Sequence, residues 1–207
     1  MSTVLIVPGL RDHVEDHWQT LLGGQLMWSR PVRLVTPGGR ENLDLQGRVK
    51  AIHDALATVQ GRVTIVAHSA GALMVAHWAQ RHRRADIVGA LLATPADLET
   101  PMPEGYPTLA ALQEHGWLPV PRNRLPFPTI VAASSNDPLA TLPRVEELAG
   151  DWGSHIVRLG HVGHLNPASG FGEWPQAQEL IARLDSMQPV RKSQDQHGEE
   201  HRLADHQ

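Results

Sequence analysis

Five consecutive residues with almost no polar character, Val63-Thr64-Ile65-Val66-Ala67, run straight into His68-Ser69-Ala70-Gly71 and then into an apolar stretch ending near His82. A short β-branched run of this kind reads as a strand buried on both faces, and the composition after it reads as a helix. Nothing between them is long enough to be a loop. The chain therefore has to turn sharply from strand to helix, with Ser69 at the apex and the small residues Ala67 and Gly71 two places to either side. The helix must pass close to the strand, and the apex residue must accept a strained backbone, which is why small neighbours are needed.

The same alternation recurs along the chain. Residues 3–7, 32–35, 87–93, 129–133 and 155–159 read as further strands, several of them stopped by Pro-Gly or Gly. Residues 43–59 carry Leu45, Val49, Ile52, Leu56 and Val59 at helical spacing, with Asp44 placed to cap the start. Helices are also expected over 142–149 and 175–187, the second opened by Pro175. Apolar strands alternating with helices mean an α/β fold: a mostly parallel sheet of about six strands, with helices on both faces in three layers.

Two regions break the pattern. Residues 97–128 hold seven prolines (101, 103, 107, 119, 121, 126 and 128) and weak periodicity. An insertion of this kind is either a wall over a site or a surface loop without a role. Residues 188–207 are almost wholly polar, with only Val190, Leu203 and Ala204 apolar, and are expected to be a disordered tail behind a single domain spanning 1–187. No internal repeat is present.

Composition removes several functions. Eighteen basic against twenty-two acidic residues give a net charge of −4, without the basic footprint of a nucleic-acid binder. The absence of cysteine excludes disulfide scaffolds, thiol nucleophiles and cysteine-ligated metal. The N-terminal apolar run is four residues long, Val4-Leu5-Ile6-Val7, and no stretch approaches the ~18 apolar residues of a membrane span. A soluble, cytoplasmic protein without membrane association is expected.

Gly-x-Ser-x-Gly is the pattern of a nucleophile elbow, and here Ala67 stands in the first glycine position. The geometry exposes the serine Oγ above the sheet edge, aims the Ala70 N–H at a reacting carbonyl oxygen, and sets a helix N-terminus beneath the developing charge. Of nine serines, only Ser69 has glycine two places later. An ordinary helix-capping serine would present the same letters. A serine nucleophile needs a base, and the base an orienting acid, in loops after later strands and in the order Ser, Asp, His. Ser134-Ser135-Asn136-Asp137-Pro138 follows one strand, and His161-Val162-Gly163-His164 follows the next. Asp97 rivals Asp137, which is favoured as closer in strand order to the histidine loop, although Asp137 also suits a turn before Pro138. His161 rivals His164, whose neighbour Gly163 lets the loop bend. A second oxyanion donor belongs after the first strand, where Leu10 N–H is the candidate and Arg11 N–H the alternative. Arg11 could also steer an acidic group of a substrate. Trp18, Trp117 and Trp174 are candidate pocket walls or core fillers. A metal reading has less to stand on. His13 and His17 are four apart, as on one helix face, and His161 and His164 three apart, but no His-Glu-x-x-His is present.

The segments Val7-Pro8-Gly9-Leu10, His17-Trp18-Gln19, Ala67-His68-Ser69-Ala70-Gly71, Ala133-Ser134-Ser135-Asn136-Asp137-Pro138 and the run from Gly163 through Trp174-Pro175 resemble the small α/β-hydrolase-fold serine hydrolases related to retinoblastoma-binding protein 9 and the bacterial YdeN-like proteins. The resemblance spans residue 4 to about 187. It implies a three-layer α/β-hydrolase fold, with Ser69 as nucleophile, Asp137 as acid and His164 as base. Ala67 and Arg11 depart from the pattern. The implied function is hydrolysis of a small-molecule carboxylic ester or amide through an acyl-enzyme, with no metal and no cofactor. His17, Trp18, Arg11 and Trp174 are the expected substrate contacts. A non-catalytic interaction module on the same fold is the alternative.

Overall fold

A computed structural model of the chain describes residues 1–187, so the expectation of a disordered tail over 188–207 lies outside the described residues. The strands are β1 (Thr3–Val7), β2 (Val32–Leu34), β3 (Val63–His68), β4 (Ile87–Ala93), β5 (Thr129–Ser134) and β6 (His155–Gly160). The helices are α1 (Trp18–Leu26), α2 (Leu45–Ala57), α3 (Ala70–Arg81), α4 (Leu109–Glu114), α5 (Leu142–Trp152) and α6 (Gln176–Ser186). The strands form one six-stranded sheet in the order β2-β1-β3-β4-β5-β6, and every neighbouring pair is parallel. The six expected strands are thus present, with ends shifted by at most a residue.

Strand side chains alternate between two layers, as the pleat dictates. Leu5, Val7, Val63, Ile65, Ala67, Leu92 and Val131 face one layer, closed by α2, α3 and α5. Val4, Ile6, Val66, Leu91, Ile130 and Ala132 face the other, closed by α1 and α6 through Trp18, Leu22, Leu180 and Leu184. The central strands β1, β3, β4 and β5 are buried throughout, which explains their unbroken apolar sequences, while the edge strands β2 and β6 are partly exposed. A polar tie fixes the N-terminal edge of the sheet: Asp185 at the end of α6 accepts hydrogen bonds from Ser2, Thr64 and Arg30.

Two helices were not legible. Helix α1 has Gly23 and Gly24 at its centre, which blunts any helical pattern; Gly23 packs so close to the sheet that a Cβ there would lie 3.1 Å from Ile6 Cδ1. Helix α4 lies inside the proline-rich insertion and is only six residues long. The insertion sends Leu112, Trp117, Val120, Leu125 and Phe127 into the core, and Leu98, Met102 and Tyr106 to the wall of a cavity. It is a wall rather than a free surface loop. Arg122 and Arg144 pin it to α5 through Glu99, Glu147 and Asp97. His13 and His17 do not share a helix face: His17 is the N-cap of α1, and His13 lies before it, bonded to the Val35 carbonyl.

Two glycine substitutions test this packing. A Cβ at Gly71 would lie 2.5 Å from the Pro8 carbonyl oxygen and 2.8 Å from that of Val7, both fixed backbone atoms. Gly71→Ala should therefore lower the melting temperature by several degrees. Gly24, exposed on α1 with nothing within 4 Å of an added Cβ, should behave oppositely. Gly24→Ala should stabilise by about 0.5–1 kcal/mol, measured by urea unfolding.

Candidate active site

The sheet order reverses direction between β1 and β3, and ligands of open parallel sheets bind at that crevice, beyond the strands' C-terminal ends. The loop after β1 brings Gly9 and Leu10 there, and the turn after β3 brings Ser69. Ser69 adopts φ +57° and ψ −129°, a left-handed conformation that side chains rarely accept, and it makes no cap bond to α3. The reading of Ser69 as an ordinary helix cap is thereby corrected. Its amide donates to the Ala93 carbonyl, and Gly9 packs so closely that a Cβ on it would lie 3.2 Å from the Ser69 Cβ.

The loops after β5 and β6 converge on the same point. Ser69 Oγ lies 2.8 Å from His164 Nε2, and His164 Nδ1 lies 2.8 Å from Asp137 Oδ2. A carboxylate only accepts, so the neutral imidazole carries its proton on Nδ1, donates it to Asp137, and accepts the Ser69 hydroxyl proton at Nε2. The side chains of Asp137 and His164 are 2% and 6% exposed, so the bond between them is shielded from water. Asp137 also accepts the Leu139 amide at 2.8 Å, so its turn-forming role and its contact with His164 coexist.

The rivals are occupied elsewhere. Asp97 binds the Arg144 guanidinium at 3.1 Å, the Thr100 hydroxyl and the Glu99 amide. Burial raises its pKa, and those three donors together outweigh burial and hold it below the usual carboxylate value. His161 is exposed at the loop surface. Among the described residues no group of three or more His, Asp or Glu side chains is close enough together to hold a metal ion.

The wall around this centre encloses a cavity of about 170 Å³, lined by Leu10, Arg11, His17, Ala70 and Met102 as well as by Ser69 and His164. The Arg11 guanidinium lies 5.4 Å from the centre of the Tyr106 ring, a cation–π contact. Trp18 and Trp174 do not line the cavity. They pack edge to face at 4.8 Å behind it, Trp18 being 1% exposed. Both bring apolar bulk to the layer beneath His17 and His68, so the expectation of substrate contacts at these two positions is revised. Trp117 is a core filler, donating from Nε1 to the Leu43 carbonyl.

Several site residues escaped the sequence reading. His68 donates from Nε2 to the His164 carbonyl at 2.9 Å, Ser169 Oγ accepts the His164 amide at 3.0 Å, and Asn136 Oδ1 accepts the Gly163 amide at 2.7 Å. Gln19 bridges the ends of β1 and β3 by donating to the Val7 and Val66 carbonyls. Each is a polar residue in a strand-end loop or at a helix start. That placement, and their position inside the segments that resemble serine hydrolases, is the signal available, and it does not reveal which backbone atom the side chain will hold.

Burial pushes His17 down to about 4, with the neighbouring His164 acting in the same direction, and it pushes His68 well below the ordinary imidazole value. In the unfolded chain both titrate near roughly 6.5. The unfolded state therefore takes up protons first as the pH falls. The stability these groups contribute is complete above that value and is lost as the pH drops toward the folded values. Urea unfolding should show a falling midpoint between about pH 7.5 and about pH 5. A midpoint constant over that range would contradict the buried, neutral state of both rings.

With this geometry, the chain can be set beside known proteins. The serine hydrolase family matches residues 4–183. No curated protein matches the chain in sequence at a significant level. Among solved structures, a YdeN-like hydrolase from Pectobacterium atrosepticum superposes with a TM-score of 0.75 at 28% identity, covering 89% of this chain and 91% of that one. The ydeN gene product of B. subtilis gives 0.72 at 17% identity over 90% and 100%. Alpha/beta hydrolase domain-containing protein 10 from mouse gives 0.65 at 14% identity over 88% of each chain. The parallel six-stranded sheet is that of the α/β-hydrolase fold, and the chain belongs to the serine hydrolase family.

Proposed function

We propose that the protein hydrolyses small-molecule carboxylic esters, with small amides as slower substrates, through Ser69, His164 and Asp137. The observation that carries this reading is the unbroken hydrogen-bonded chain from Asp137 through His164 to Ser69, with 2.8 Å links on both sides of the imidazole. Ser69 Oγ attacks the ester carbonyl carbon while its proton passes to His164 Nε2. The carbonyl oxygen becomes an oxyanion. When the tetrahedral intermediate collapses, the carbon–oxygen bond to the leaving alcohol breaks, and that alcohol takes the proton from Nε2. Water then attacks the acyl-serine by the same route, releasing the acid and restoring the hydroxyl. Asp137 fixes the Nδ1–H tautomer and steadies the imidazolium while it exists.

The amides of Ala70 and Leu10 are the proposed oxyanion donors. Among the described residues neither donates to a protein acceptor, and both residues line the cavity beside Ser69. Ala70 is the first residue of α3, so the helix N-terminus favours negative charge at the same place. His17 and Arg11 are the proposed substrate contacts on the wall. A cavity of about 170 Å³ is below the ~300–1,000 Å³ of sites for drug-sized ligands and suits a short acyl group.

The test is labelling by a fluorophosphonate probe together with turnover of p-nitrophenyl acetate. Ser69→Ala should abolish labelling and reduce turnover by on the order of 10³–10⁶. His164→Ala should cost nearly as much and Asp137→Asn somewhat less. Because the three groups act as a unit, the double variant Ser69→Ala/His164→Ala should be little worse than either single one. A folded wild type inert to the probe and to every ester would transfer the case to a non-catalytic interaction module.

A further inference from the structure

The imidazole of His17 has its two nitrogens in different surroundings. Nδ1 accepts the Gln19 amide at 3.2 Å, as the N-cap of α1. In a neutral ring the proton then resides on Nε2, which makes that atom a donor. Among the described residues Nε2 has no hydrogen-bond partner and no carboxylate within ion-pair distance. It is not sealed from solvent either, in contrast to Trp18 Nε1, which is buried with no partner. The ring is part of the cavity wall that also holds Ser69 and His164. The ring packs at a tilt against His68, another lining residue, with ring centres 4.6 Å apart. Because burial and His164 hold the group down to about 4, it donates at neutral pH without bringing a positive charge.

On the reading proposed above, the scissile ester is already fully served. The Ala70 and Leu10 amides take its carbonyl oxygen, and His164 serves its leaving oxygen. A further fixed donor in a mainly apolar cavity calls for an acceptor outside the scissile group, since a donor left without one in the complex weakens binding. We infer that His17 Nε2–H binds a second acceptor oxygen of the substrate, so that the preferred esters carry an ether, keto or hydroxyl oxygen near the scissile bond. This inference rests on the proposed ester hydrolysis and names its substrate class.

The two nitrogens can be separated by substitution. The amide of asparagine mimics Nδ1 and retains the helix cap but does not reach the cavity, whereas the glutamine amide extends to the position of Nε2 and loses the cap. Two pairs of near-isosteric esters read the effect: p-nitrophenyl methoxyacetate against p-nitrophenyl butyrate for an oxygen in the acyl group, and 2-methoxyethyl acetate against butyl acetate for one in the alcohol. Taking the ratio of kcat/KM within each pair, and comparing it between variants, cancels intrinsic reactivity. In at least one pair the wild-type ratio should fall by about tenfold in His17→Asn with the melting temperature retained. His17→Gln should keep most of the ratio while melting a few degrees lower. His17→Ser, another good cap without the reach, substitutes for His17→Asn if that variant does not fold. Turnover by the wild type with ratios that are unmoved in the Asn variant, or that fall equally in the Gln variant, overturns the inference alone. A wild type that turns over none of the four esters overturns it together with the proposed function.

Discussion

A helix that begins directly after a buried strand must lay its first turn against the end of the neighbouring strand. In this protein the fit there excludes even a methyl group, since a Cβ on Gly71 would come within 2.5 Å of the Pro8 carbonyl oxygen. The rest of the site follows from that contact. With α3 pressed so closely on β1, the chain can leave β3 only by a turn that puts Ser69 at φ +57°. Such a backbone costs on the order of 1–3 kcal/mol and persists only where its surroundings enforce it. Helix α3 does so by burying ten of its twelve residues, Leu73, Val75 and Trp78 among them. Ala67, two before the serine, is fully buried in the same layer, so the extra methyl at the usual glycine position is absorbed in the core.

His164, the proposed base, is held by its backbone as much as by its ring. The His164 carbonyl accepts from His68 beside Ser69, its amide donates to Ser169, and the preceding amide of Gly163 donates to Asn136 in the loop that carries Asp137. Three loops are thereby locked to one another through the residue between them. Gly163 takes φ +56°, and a Cβ there would meet Ser169 Oγ at 2.5 Å, so the turn and the hydrogen bond to Ser169 demand glycine together. Groups that orient a catalytic side chain at second hand are what hold it to a fraction of an ångström.

What could be read from sequence was whatever is written in local composition. The strands are legible because a central parallel strand must be apolar on both faces, and the elbow because its small residues are spaced by the turn itself. Helix α1 was hidden by Gly23, which packs closely against Ile6. Asp97 and Asp137 both follow strands and both cap turns. What separates them is Arg144, forty-seven residues from Asp97 in the chain, which claims its carboxylate. Trp18 and Trp174 sit next to motif residues, yet their rings meet each other behind the cavity, because side-chain direction depends on how α1 lies on the sheet. Long-range choices of this kind leave no mark on the residues that make them.

Three imidazoles stand in a row at this site, His17 to His68 at 4.6 Å and His68 to His164 at 4.8 Å between ring centres. Hydrolysis through Ser69 would place a transient positive charge on the last of them. A second charged ring at such a distance would oppose that charge in a poorly screened setting. Here His68 is buried and bonded to a carbonyl, His17 is half-buried, and burial is the main cause that keeps both neutral. Of the three, only His164 has a carboxylate partner among the described residues. The row thus supplies polar packing and fixed N–H donors while confining the charge to the ring that Asp137 can stabilise. Replacing His68 by a permanently charged side chain would keep the polarity and lose that separation, which is why a neutral, buried imidazole suits the position before Ser69.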